Sequence, residues 1–203
     1  MNLKELNFDP RTEQLPILNQ ETRQLLVEQL RGKGIEITRI IDGEEVRFRY
    51  RLTEVARAFE EDGIHGFNVV FDNPETNVGF IHCEIDKNNL TSNIESKKYY
   101  SNEPAGGKSK YSKKGLMGLA FSFLAEFLRT QNIKLVEGVV GDPPEDYNLA
   151  SVNSRMNAYD LSAGKTFKDS TKLIKKYDYV DKDQPSPRVQ KLFLVTDLQK
   201  NLT

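Results

Sequence analysis

The feature that most restricts the fold is a stretch of chain with almost no polar side. Leu116, Leu119, Ala120, Phe123, Leu124, Phe127 and Leu128 recur at i, i+3, i+4, i+7, i+8, i+11 and i+12, which is the spacing of one helix face. Met117, Phe121 and Ala125 make much of the remainder apolar as well. Such a helix is central rather than superficial and needs neighbours on several sides. It is too short and too amphipathic to span a bilayer. With 203 residues the chain is long enough to supply the covering core.

The flanking segments read mostly as strands. Residues 1–18 are polar and broken by Pro10 and Pro16, the pattern of a surface arm. Asn19 is placed to cap a helix reading ETRQLLVEQLRGKG, with Leu25, Leu26 and Leu30 at helical spacing and Gly32 or Gly34 as the stop. IEITRII and EEVRFRYRL follow, joined by Asp42-Gly43, a strong hairpin turn. In the second of these, Val46, Phe48 and Tyr50 share one face, and Arg47, Arg49 and Arg51 the other. Thr53 is placed to cap a short helix, EVARAFEEDG. GFNVVFD and NVGFIHCEID form a second hairpin around Asn73-Pro74-Glu75-Thr76, and LTSNIESKKYY supplies a third strand beside it. After the apolar helix come a buried-type strand, IKLVEGVVG, an acidic Pro-bearing loop over 142–150 and a helix over 151–163. TKLIKKYDYV and VQKLFLVTDL close the chain as a hairpin. The expected fold class is therefore α+β, or mixed α/β: a single, largely antiparallel sheet with helices on both faces.

Composition removes several functions. The signs of charge are mixed, with a formal net charge of −1, so no global basic field favours nucleic acid. Cys83 is the only cysteine and His65 and His82 the only histidines, which excludes a disulfide framework and argues against a structural zinc site. Cys83 and His82 are neighbours on a strand and point to opposite faces, so they do not form a nucleophile–base pair. His65 precedes a glycine and reads as a surface or turn residue. The N-terminus has no apolar signal region, and the plain expectation is a cytoplasmic protein.

Two phosphate-binding suggestions stand within "NEPAGGKSKYSKKGLMGLA", residues 102–120. Gly107-Lys108-Ser109 ends like a Walker A motif, but Asn102 stands where its first glycine belongs, and no helix opens at Lys108. That suggestion fails. Lys113, Lys114, Gly115, Leu116, Met117 and Gly118 instead open the apolar helix. Unpaired N–H groups, the helix dipole, two glycines and two lysines together suit a pyrophosphate there.

In its element order the chain resembles the GNAT superfamily of acyl-CoA-dependent N-acyltransferases. In that family an antiparallel meander leads to a Gln/Arg-x-x-Gly-x-Gly/Ala loop that opens a helix and holds the CoA pyrophosphate. A splayed strand, a helix carrying Asn and Tyr, and a final strand pair follow. YSKKGLMGLAFSFLAEFLRTQNIKLVEGVVG and NLASVNSRMNAYDLSAGKTF carry the likeness here. With Gly115 as the first glycine of the loop, Ser112 and Met117 depart from the pattern. With Gly118 in that role Ala120 fits, but Gly115 replaces Gln or Arg. Both registers stay open.

The resemblance implies acyl transfer from acetyl-CoA or another acyl-CoA to an amine, either a small molecule or a protein lysine or N-terminus. The domain is residues 46–203, and residues 1–45 are an added element. Tyr159 is implied as the acid for the departing thiolate. Glu95 is implied as the base, with Glu84 and Glu137 as rivals, and Asn153 joins the cofactor contacts of residues 113–118. The alternative is a non-catalytic module of the same fold, touching nucleic acid through the lysines of 108–114, with Tyr111 stacked on a base.

Overall fold

The computed structural model describes residues 15–16, 18–55, 63–100, 111, 114–140, 173–177 and 188–194, with the backbone alone at 95–99, 137–140 and the last two segments. The order is α1 (Gln20–Arg31), β1 (Ile35–Ile41), β2 (Glu44–Val55), β3 (Ile64–Asn73), β4 (Thr76–Asp86), β5 (Thr91–Tyr99), α2 (Leu116–Thr130), β6 (Leu135–Val140), β7 (Leu173–Tyr177) and β8 (Arg188–Leu194). The strands form one sheet in the order β1-β2-β3-β4-β5-β6-β8-β7. Each neighbouring pair is antiparallel except β5–β6, which is parallel and connected through α2. The single, largely antiparallel sheet expected from the sequence is the one observed.

Local chemistry sets most of these elements. The Asn19 side chain accepts a hydrogen bond from the Thr22 N–H at 2.8 Å, satisfying one orphan donor at the start of α1. Asp42 (φ 54°) and Gly43 (φ 91°) both take the left-handed conformation that a two-residue hairpin needs. Asn73 Oδ1 accepts from the N–H groups of Glu75 and Thr76, which fixes the β3–β4 turn.

α2 lies on the face formed by Phe48, Tyr50, Phe67 and Phe71. Phe123 meets Tyr50 edge-on with centroids 5.1 Å apart, and Phe127 meets Phe67 at 4.8 Å. Every α2 residue from Leu116 to Leu128 is buried, as its all-round apolar pattern demands. α1 packs against α2 on the same side. There Arg23 Nε donates to Glu126 at 2.7 Å, and Arg129 donates to the other carboxylate oxygen. The helix expected over 151–163 lies outside the described residues.

Three expectations need correcting. Thr53 does not cap a helix: Thr53, Glu54 and Val55 extend β2 and pair with Asn68, Phe67 and Gly66. Cross-strand pairing overrides the helical look of the sequence there, and 56–62 lie outside the described residues. Of the two readings for His65, surface or turn, the turn is wrong: it stands inside β3, opposite Ile85, with its side chain 38% exposed. In α1 the buried stripe is Arg23, Leu26, Val27 and Leu30, at i, i+3, i+4 and i+7, while Leu25 is 46% exposed.

Candidate active site

The one parallel pairing in the sheet is short. β5 and β6 pair from Thr91↔Leu135 to Ile94↔Gly138 and no further. Yet β5 continues along β4 to Tyr99, and β6 continues along β8 to Val140. The two strands therefore part beyond Ile94. The parting coincides with a bulge. Ile94 pairs with Cys83 and Ser96 with His82, so Glu95 is the extra residue. A bulge bends its strand and re-aims the following groups. From Glu95 onward, the backbone groups of β5 that face β6 have no partner from that strand.

The sequence-derived candidates fall at two places around this gap. Glu95 is the bulge residue itself. Glu137 lies on β6, paired with Asn93 on one side and Leu192 on the other. Glu84 lies on β4, on the face turned away from the helices, with its side chain 18% exposed. Tyr159 and Asn153 lie outside the described residues, as does Lys113.

The start of α2 is at the same end of the sheet but displaced sideways. The Tyr50 hydroxyl donates to the Leu116 carbonyl at 3.0 Å, and the register runs Tyr50–Phe71–Gly79–Tyr99 across β2 to β5. Three strand spacings make this about 14 Å from β5. Gly115 caps the helix with φ 76°, a conformation that glycine tolerates best. Leu116 and Met117 are 0% and 8% exposed and Gly118 is buried, so Lys114 and Gly115 form the accessible part of this terminus. Lys114 Nζ already meets Asp42 Oδ1 at 2.9 Å, in the β1–β2 turn. With Asp42 71% exposed, that pair is weak enough for a phosphate to replace it.

Tyr111 is not available to stack on a base. It is 6% exposed, stands edge-on to Phe48 and accepts a hydrogen bond from Asn73 Nδ2 at 2.7 Å. The nucleic-acid alternative loses its aromatic contact, because the ring is needed to close the core over β2 and β3. The arginine stripe is likewise engaged, with Arg49 on Glu36 and Arg51 on Asp72.

Cys83 is fully buried, and burial pushes its thiol up to about 12, with the Ser92 hydroxyl opposing this more weakly. It is an inert core residue. His82, on the other face, is in a different position. Asn68 Oδ1 lies 2.7 Å from its Nδ1, and Glu84 Oε1 lies 3.9 Å from its Nε2. Sequence reasoning passed over this group, because the pairing of Asn68 with His82 depends on the register of the β3–β4 hairpin. No group of three or more metal-ligating side chains is found among the described residues.

No protein-family model matches the chain, and no curated protein does. Among solved structures it is similar to nourseothricin acetyltransferase, with 10% identity over 83% of this chain and 92% of that one and a TM-score of 0.42. It is also similar to a variant of a spermidine N-acetyltransferase from Vibrio cholerae, with 10% identity, 68% and 69% coverage and a TM-score of 0.41. An aminoglycoside 6'-N-acetyltransferase complexed with coenzyme A gives 9%, 66% and 74%, and 0.40. At these values the likeness is loose.

Proposed function

We propose that the protein is an N-acyltransferase that moves an acetyl or other acyl group from CoA to an amine. The parting of β5 and β6 at the Glu95 bulge is the observation that supports this most. A narrow chain carrying amide groups, such as the pantetheine arm of CoA, suits such a gap. It can pair with the edge of β5 that β6 leaves, as an added strand does. Backbone N–H groups at the bulge are also suited to stabilise charge developing on a thioester carbonyl.

In this reading Lys113, Lys114 and Gly115 at the start of α2 hold the pyrophosphate, and Asn153 adds a further contact. About 14 Å from β5, they serve a ligand whose anionic end lies far from its reacting end. Glu95 takes the proton of the attacking amine and Tyr159 returns one to the departing thiolate. Residues 46–203 carry the chemistry. Residues 1–45 are an added element, whose α1 steadies α2 through the Arg23–Glu126 ion pair.

Calorimetric titration of the full chain with acetyl-CoA and with CoA tests the proposal. Saturable binding of both is expected. No heat and no thermal shift at millimolar ligand would rule it out.

A further inference from the structure

We infer that the protein is a two-fold homodimer in which the free edge of β1 pairs antiparallel with β1 of a second copy, so that the two sheets run on as one. The inference is independent of the acyl-transfer reading. It concerns Ile35–Ile41, at an edge of the sheet, rather than the parting of β5 and β6.

β1 and β7 are the two edges of the sheet. An edge strand offers a row of unpaired N–H and C=O groups, and proteins guard such rows with lysines, prolines or bulges. β7 reads LIKKY, with Lys175 and Lys176 in a strand of five residues. β1 reads IEITRII, seven residues without Lys or Pro, in unbroken register with β2 from Ile35↔Tyr50 to Ile41↔Glu44. Ile35, Ile37, Thr38, Ile40 and Ile41 are β-branched, the residue type that packs best on a pleated surface. The two charges of β1 do not guard it: Glu36 is held by Arg49, and Arg39 is half-buried on the helix side, opposite Val46. Among the described residues nothing pairs with that edge. Ile40 is 64% exposed, and the residue facing it across β2 is the exposed Glu45. Its own sheet therefore offers it no apolar cross-strand partner.

A second copy supplies what Ile40 lacks. A two-fold axis through Thr38 is the register that keeps every residue of β1 paired. It sets Ile35 against Ile41 of the second copy, Glu36 against Ile40, Ile37 against Arg39, and Thr38 against Thr38. A Thr–Thr pair is a favourable cross-strand pair, and diagonal neighbours are within reach as well. Each Ile40 lies diagonal to the second copy's Thr38, so the outer face gains a continuous β-branched seam of Ile40, Thr38, Thr38 and Ile40. This pairing also keeps both helix layers on one side of the joined sheet. An axis through Arg39 would set two arginines opposite each other and bring Glu36 against the second copy's Asp42, both like-charge pairs. An axis through Ile37 would leave Ile40 opposite Gly34, again without an apolar contact.

Sedimentation velocity of the full-length chain, at concentrations up to its solubility limit, reads the mass directly. A species of twice the mass of one chain is expected. Ile40→Lys places a charge at both ends of the symmetric seam, and Thr38→Lys brings two charges together at the axis. Each should reduce the protein to a monomer with the circular dichroism of the parent, because both side chains are exposed and stand outside the core. Leu25→Lys makes the same kind of change at an exposed apolar residue of α1 and should leave the dimer intact. Hydrogen exchange gives an independent reading: amides within Ile35–Ile41 should exchange faster in Ile40→Lys than in the parent, while those of β7 stay unchanged. A parent chain that is monomeric at every concentration overturns the inference. So does a dimer that survives both β1 substitutions, or one that Leu25→Lys dissociates as readily.

Discussion

Glu126→Ala should be among the most damaging single substitutions in this chain. The carboxylate is 5% exposed and accepts from Arg23 through one oxygen and from Arg129 through the other. The Arg23 and Arg129 side chains are only 8% and 9% exposed, so neither guanidinium can turn to water. Burial pulls the Arg129 pKa below its usual value, and the charge of Glu126 is the largest influence holding it up. Removing the carboxylate leaves two like charges buried together. Breaking a buried pair in this way costs about 3–5 kcal/mol. For a chain of this size that is a fall in Tm of roughly 6–20 °C. Urea unfolding followed by circular dichroism measures it, with an unchanged m-value if the native state stays compact. The combined variant Arg23→Met, Glu126→Leu, Arg129→Met should recover most of the loss, because desolvation offsets much of what the triad contributes. A loss below about 1 kcal/mol for Glu126→Ala would refute the reasoning, since it would mean that water reaches the triad.

Other substitutions test separate parts of the account. Asn19→Ala removes the α1 cap and should cost about 1 kcal/mol by denaturant unfolding. Tyr50→Phe removes the hydroxyl that donates to the buried Leu116 carbonyl and should cost about 0.5–1.5 kcal/mol by the same measurement. Asp42→Asn frees Lys114 from its ion pair and should tighten CoA binding, whereas Lys114→Glu should weaken it, both read by calorimetry. Cys83 gives a signed pH dependence. Its folded pKa is raised from 9.0 to about 12, so its contribution to stability is complete below pH 9 and is lost as the pH rises towards 12. Urea midpoints for Cys83→Ala against the parent chain isolate that slope. Native Cys83 should also resist thiol reagents until the chain unfolds.

Much of the fold was legible because its signals are local. The apolar periodicity of Leu116–Leu128 defined α2, Asp42-Gly43 defined the first hairpin, and Asn73–Thr76 the second. What escaped depends on which strand lies beside which. Thr53–Val55 look helical alone and become strand only because Asn68, Phe67 and Gly66 lie alongside. The Glu95 bulge exists only as a mismatch between two strands. The Asn68–His82 contact shows the limit well. Counting outward from the turn pairs Asp72 with Asn77, and continuing that count would place Asn68 opposite Ile81. The structure slips by one residue at Val78, bringing His82 to Asn68 instead. That single slip turns a histidine with no evident partner into an oriented one. The strand order alone puts Glu95 beside β6, whereas its place in a bulge appears only in the register with β4.

Hydrogen exchange with and without CoA tests the central claim most directly, because it reads the edge of β5 itself. If the pantetheine arm occupies the gap, amides within Glu95–Tyr99 should exchange more slowly when CoA is bound, while those of the β1–β2 hairpin away from Lys114 stay unchanged. Saturating CoA that leaves the exchange of Glu95–Tyr99 unaltered would contradict the placement of the acyl donor between β5 and β6.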